Sequence, residues 1–152
     1  FLTLAANRAI ALKCRTLVTG ICQEDNANYP DCTEPFRLKI ERAFNQSLNL
    51  SLGAEDYLRI EAPLMDYTKE DSVLMALDLP GCYAALGYSH TSYDGQYPPT
   101  GHDHATLLRA KGFAEARVPD PLVLRANIAG LMELPSGPNY SEELVRRYVE
   151  LL

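Results

Sequence analysis

Two short clusters between positions 22 and 32 put carboxylates beside an aromatic ring: Cys22-Gln23-Glu24-Asp25, then Tyr29-Pro30-Asp31-Cys32. A carboxylate can accept hydrogen bonds from the donor edge of a flat heterocycle while a ring stacks on its face. The same composition suits a solvated loop closed by a Tyr-Pro turn, and taken alone the residues favour that plainer reading, because loops often look like this. A second group is Thr68-Lys69. If Thr68 caps a helix, Lys69 is its first residue, and a lysine there opposes the helix dipole. Backbone N–H groups and an ammonium together would make an anion site. An ordinary surface lysine is the alternative. A third group holds His90, Asp94, His102, Asp103 and His104. His and Asp can bind zinc. Rings at 102 and 104 are awkwardly spaced for one ion on a helix, and no cysteine lies nearby, so hydrogen-bonded loop histidines are the default. Cys22 and Cys32 flank the acidic loop, which lacks the electropositive setting a reactive thiolate needs, and they read as structural. The sequence contains no Ser-Gly-Gly-x-Asp-Ser loop, no Walker lysine motif and no GxGxxG.

The elements that must position these groups read as α/β. The chain has 152 residues, 47% of them hydrophobic and 22% charged, which suits one domain with a packed core. A formal net charge of -6 argues against a broad grip on nucleic acid or anionic lipid. No apolar run approaches the roughly 20 residues of a membrane span. Four scattered cysteines without a CxxC pair point to a reducing cytoplasm. The sequence starts at Phe rather than Met, which reads as a portion of a longer chain. Residues 2–14 have helical spacing and abundant Ala; 16–21 form a β-branched apolar run that reads as a buried strand. A loop at the C-terminal end of a strand is where open α/β sheets bind ligands, and residues 22–34 are that loop. Phe36, Ile40, Phe44 and Leu48 form a four-residue stripe that predicts a helix over 35–50, capped by Thr33. Residues 57–62 alternate and predict a second strand. Thr68-Lys69-Glu70-Asp71 has capping-box character and opens a helix that ends before Pro80-Gly81. Residues 87–102 read as irregular. Helices follow at 103–114 with Asp103 as N-cap, at 122–133 after the Pro119-Asp120-Pro121 connection, and after Ser141. Two strands joined by a helix suggest a parallel crossover, and two strands alone make a poor sheet, so more strands are expected from elsewhere.

Three stretches together resemble the 7-cyano-7-deazaguanine synthase family. They are Thr19-Gly20-Ile21-Cys22-Gln23-Glu24-Asp25 with Tyr29-Pro30-Asp31-Cys32; Ala62-Pro63-Leu64-Met65 with Thr68-Lys69; and Leu107 to Ala116 with Asp120-Pro121. They occur in the family's order, across about residues 1–125, and look like its C-terminal part. The resemblance implies an adenine-nucleotide α-hydrolase-like, Rossmann-like parallel sheet, with the N-terminal half and its ATP loop outside this sequence. It implies an ATP-dependent C–N ligase that takes 7-carboxy-7-deazaguanine, ammonia and ATP (with Mg2+) to the nitrile, an early step toward queuosine. This portion alone is expected to be inactive. By resemblance, Glu24, Asp25, Tyr29, Pro30 and Asp31 would bind substrate. Gly20, Thr68 and Lys69 would bind nucleotide, with Lys69 catalytic. A homodimer is left open; no membrane and no direct nucleic-acid partner is expected.

The sequence also departs from the family pattern. The positions matching the family's four zinc cysteines are Ser92, Thr100, Asp103 and Thr106, so no structural zinc is expected. These are good capping groups, and hydrogen bonds are expected to hold the loop instead. Ala27, Asn28 and Thr33 replace a common Ser, Gly and Arg around the first motif, and Asp66 replaces a common Trp in the second. These changes keep two alternatives open. One is a relative that attaches a deazaguanine to a protein or nucleic-acid partner. The other is a non-catalytic substrate-binding or dimerising half.

Overall fold

The protein is mixed α/β, and its sheet is small. The computed structural model describes residues 1–22, 24, 29–99 and 101–152. Strands β1 (Thr16–Val18) and β2 (Arg59–Glu61) pair in parallel, with Leu17 opposite Ile60. Around them lie seven α-helices: α1 (Leu2–Ala11), α2 (Glu34–Ser47), α3 (Lys69–Asp78), α4 (Cys82–Leu86), α5 (His104–Glu115), α6 (Pro121–Ile128) and α7 (Glu142–Val149), as counted among the described residues. The chain divides into two compact units, Phe1–Tyr67 and Thr68–Leu152.

In the first unit, α1 stops three residues earlier than the sequence pattern suggests. Lys13 adopts a left-handed φ of 58°, and the amides of Lys13 and Cys14 bond back to Ile10 and Ala9. This double closure satisfies the carbonyls of the last turn and redirects the chain into β1. α2 ends the same way at Asn49, with φ 56°. A small core gathers Ala6, Ala9 and Leu58, with Leu17 and Phe44 packed against it.

The predicted apolar stripe of α2 needs correction. Phe36, Ile40 and Phe44 are only half-buried, Leu48 is 42% exposed, and the helix's most buried residue is Asn45, at 1%. The buried position is polar because the helix faces strand backbone there. Asn45 donates from Nδ2 to the carbonyl of Leu58 and accepts its amide at Oδ1, both at 2.8 Å. Glu41 Oε2 accepts the amide of Ile60 at 2.7 Å, and Arg37 donates to the carbonyl of Ile60. Side chains one turn apart on α2 thus satisfy backbone groups that another strand would otherwise pair.

The second unit is helical. Val73, Tyr83, Phe113, Val118, Leu124 and Tyr148 form its core, with Leu77, Leu86, Leu144, Val145 and Val149 against it. α4 was not anticipated; Gly81, at φ 73°, makes the left-handed turn that lets this short helix follow α3 so closely. Asp120, read from sequence as part of a connection, caps α6 by accepting the amide of Leu122, with Pro121 in the first turn. The helix then ends early, at Ile128, through a closure at Gly130.

Candidate functional site

The acidic loop follows β1, at the C-terminal end of that strand. Cys22 is fully buried and anchors its start. Its return is a tight turn in which the amide of Cys32 bonds to the carbonyl of Tyr29 at 2.9 Å. Pro30 and Asp31 occupy the two central positions, where a proline's fixed φ suits the first. Thr33 then caps α2, accepting the amide of Phe36 at 3.3 Å and donating to the carbonyl of Pro30 at 3.2 Å. Asp31 and Pro30 are exposed at the tip, Tyr29 is partly so, and Glu24 is half-buried. Asp25 lies outside the described residues. Gly20 is exposed and its backbone is not left-handed; a Cβ there would meet nothing within 4 Å. Nothing inside the chain requires glycine at position 20, and the open space leaves the backbone there approachable.

Thr68 and Lys69 open the second unit. Thr68 caps α3 in a full capping box: the amide of Asp71 donates to its Oγ1 at 3.0 Å, and Asp71 Oδ2 accepts the Thr68 amide at 2.9 Å and its hydroxyl at 2.7 Å. These bonds hold the Asp71 carboxyl below its ordinary range. The expectation of a bare helix end needs amending, because a carboxylate from the same turn already occupies part of it. Lys69 is held by a contact that sequence reasoning did not find. A Cβ added at Gly112 of α5 would lie 2.5 Å from Lys69 Cβ and 3.1 Å from its carbonyl carbon. The absence of a side chain at 112 lets α5 press against the backbone that carries Lys69. The third family stretch, Leu107 to Ala116, contains this glycine; a glycine in mid-helix was the available signal.

The same stretch carries a second fastening. Arg109 forks onto Asp120 through Nε and Nη2, at 2.6 and 2.8 Å. It also donates to Ser89 Oγ at 2.6 Å, Thr91 Oγ1 at 3.2 Å and the carbonyl of Leu86 at 3.0 Å. One guanidinium therefore ties α5 to α6 and to the start of the irregular segment 87–102.

Beyond Thr91 lies the third cluster noticed in the sequence. Ser92 is buried, and its hydroxyl lies 2.6 Å from Asp94 Oδ1 and 2.8 Å from Asp103 Oδ2. Asp103 Oδ2 accepts the hydroxyl of Thr106 at 2.8 Å, and Oδ1 accepts its amide at 2.9 Å. Bonds from Thr106 and Ser92 lower the Asp103 carboxyl to about 2. Three of the four positions aligned with zinc cysteines are thus joined through one carboxylate; Thr100 lies outside the described residues. Their oxygens are hard donors already engaged with one another, a poor match for a thiolate zinc site. Among the described residues no group of three or more His, Cys, Asp or Glu is placed to hold a metal ion. No helix among them is long and apolar enough to cross a membrane.

The comparisons decide the lineage. The family model described as queuosine biosynthesis protein QueC matches residues 1–117. The chain belongs to the QueC family. It is 46% identical over 125 residues to the 7-cyano-7-deazaguanine synthase of Chromobacterium violaceum, covering 82% of this chain and 50% of that protein. The synthase of Laribacter hongkongensis is likewise 46% identical, with 52% of its length covered. That of Gloeobacter violaceus is 40% identical over 124 residues, 80% of this chain and 52% of its own. The chain spans about half the length of the curated relatives it matches.

Proposed function

We propose that this QueC-family chain serves an ATP-dependent C–N ligase that converts 7-carboxy-7-deazaguanine and ammonia into 7-cyano-7-deazaguanine. The observation that carries the reading is the family match across residues 1–117, together with relatives named for that product at up to 46% identity. The chemistry has a consistent course. The substrate carboxylate attacks the α-phosphorus of ATP and pyrophosphate leaves, giving an acyl-adenylate. Ammonia displaces AMP to give the amide. A second activation, at the amide oxygen, lets AMP leave again as the nitrile forms.

In this reading the Tyr29–Cys32 turn and Glu24, with Asp25, take the heterocycle. Asp31 stands at the exposed turn tip, where it can accept from ring N–H donors while Tyr29 lies against the ring. Gly20 and Thr68 belong to the nucleotide side. Lys69 supplies a fixed ammonium for the charge that grows on departing pyrophosphate. ATP brings Mg2+ with it, and no step is assigned to the ion here.

The test is mass spectrometry of a reaction containing ATP, ammonia and 7-carboxy-7-deazaguanine. The chain is supplied together with the half of the synthase length that it does not span. The expected products are the nitrile, AMP and pyrophosphate, with none from this chain alone. A mixture that turns over ATP but transfers the deazaguanine to a macromolecule would overturn the reading in favour of altered chemistry.

A further inference from the structure

The two edges of the β1–β2 sheet are chemically unlike. Parallel pairing consumes alternate peptide groups of each strand. On β2, Arg59 and Glu61 face β1: the Arg59 amide bonds to the carbonyl of Arg15 at 2.8 Å, and the carbonyl of Glu61 accepts the amide of Thr19 at 2.9 Å. The peptide groups of Leu58 and Ile60 face the other way, where Asn45, Glu41 and Arg37 of α2 take them. A third strand cannot pair on that side without displacing four side-chain bonds. On β1, alternation directs the Thr16 and Val18 peptide groups away from β2. Both residues are exposed, Val18 at 62%, and among the described residues none bonds these groups. An open row of strand N–H and C=O groups beside an exposed apolar side chain is a pairing template.

The segment before β1 says what would pair there. α1 packs Ala6 and Ala9 onto Leu17 and Leu58 and then turns tightly into β1. A helix laid on a sheet and leading into one of its strands is the second half of a parallel crossover, which needs a preceding strand beside it. The β2 edge is closed, so that strand can lie only along β1. We infer that the Thr16–Val18 edge is a docking surface for a parallel strand supplied by the half of the synthase length that this chain does not span. Arg37, Glu41 and Asn45 are the guard that confines pairing to this edge. The inference rests on family membership and not on the proposed reaction, so either can fail without the other.

The test mixes this chain with a separate polypeptide made from the part of the Chromobacterium violaceum synthase outside the matched region. Light scattering reads association, and amide hydrogen exchange reads the edge. The chain by itself is expected to protect the Leu58 and Ile60 amides and to exchange those of Thr16 and Val18 quickly. In the complex the latter two slow by at least about tenfold, while Leu58 and Ile60 stay protected. Val18→Lys, a change at an exposed side chain, weakens the complex, and its circular dichroism shows whether the chain still folds; the wild-type exchange pattern stands even if it does not. No association, association with Thr16 and Val18 still exchanging quickly, or self-association of this chain that protects them would each overturn the inference.

Discussion

Replacing Gly112 by Ala sets two effects of known sign against each other. Intrinsic helix propensity favours alanine in mid-helix by about 1 kcal/mol. Against it stands the contact with Lys69: a methyl at 112 would lie 2.5 Å from Lys69 Cβ and 3.1 Å from its carbonyl carbon. The shorter distance is about 1 Å inside ordinary carbon–carbon separation. Neither partner is the far end of a flexible side chain, so α3 and α5 must move apart. Overpacking of this kind costs about 1–3 kcal/mol, and an anchored contact belongs in the upper part of that range. The net expectation is a loss of about 1–2 kcal/mol in urea unfolding, with the m-value unchanged. Ala110→Gly, on an exposed position of the same helix, is the reference and should lose about 1 kcal/mol through propensity alone. If propensity ruled at both sites, Gly112→Ala would gain stability where Ala110→Gly loses it. That outcome would show that the close approach yields freely and would refute Gly112 as the residue that seats Lys69.

Asp103→Asn should lower the thermal midpoint at neutral pH. Because the folded carboxyl is depressed to about 2 from an ordinary 3.8, its contribution is fully present above about pH 4 and fades as pH falls toward 2; paired melts across that range should converge at the acid end, and a constant gap would count against the carboxylate as the hub. Asn45→Ala should cost about 2–4 kcal/mol in urea unfolding, since it strands both the amide and the carbonyl of Leu58; a loss below half a kilocalorie would mean water replaces both bonds. Lys69→Ala should slow single-turnover adenylation by about two to three orders of magnitude in the reconstituted reaction, and a near wild-type rate would return the lysine to the surface. Elemental analysis of purified, untagged protein after chelator dialysis should find no stoichiometric zinc, whereas one ion per chain would contradict the reading of the Ser92–Asp103–Thr106 knot.

Local chemistry was legible in the sequence wherever one turn or one cap decided it. Thr33, Thr68, Asp103 and Ser141 cap the helices their spacing suggested, because an N-cap is settled within about four residues. The oxygen-for-thiolate exchange at Ser92, Asp103 and Thr106 was likewise readable from residue type, and the four motif stretches carried the family. Tertiary contact decided the rest. The apolar stripe of α2 pointed to Phe36 and Leu48 as buried, yet the helix buries Asn45. Periodicity counts apolar side chains and is blind to a strand's unpaired backbone, which only a polar side chain can satisfy. Gly112 and Arg109 looked like ordinary helix residues. One proves to be the gap that admits the backbone of Lys69, and the other a fork spanning Leu86 to Asp120. Both roles depend on residues 20 to 43 positions away or on a second helix pressed close, and such proximity is a property of the packed chain, not of any window along it.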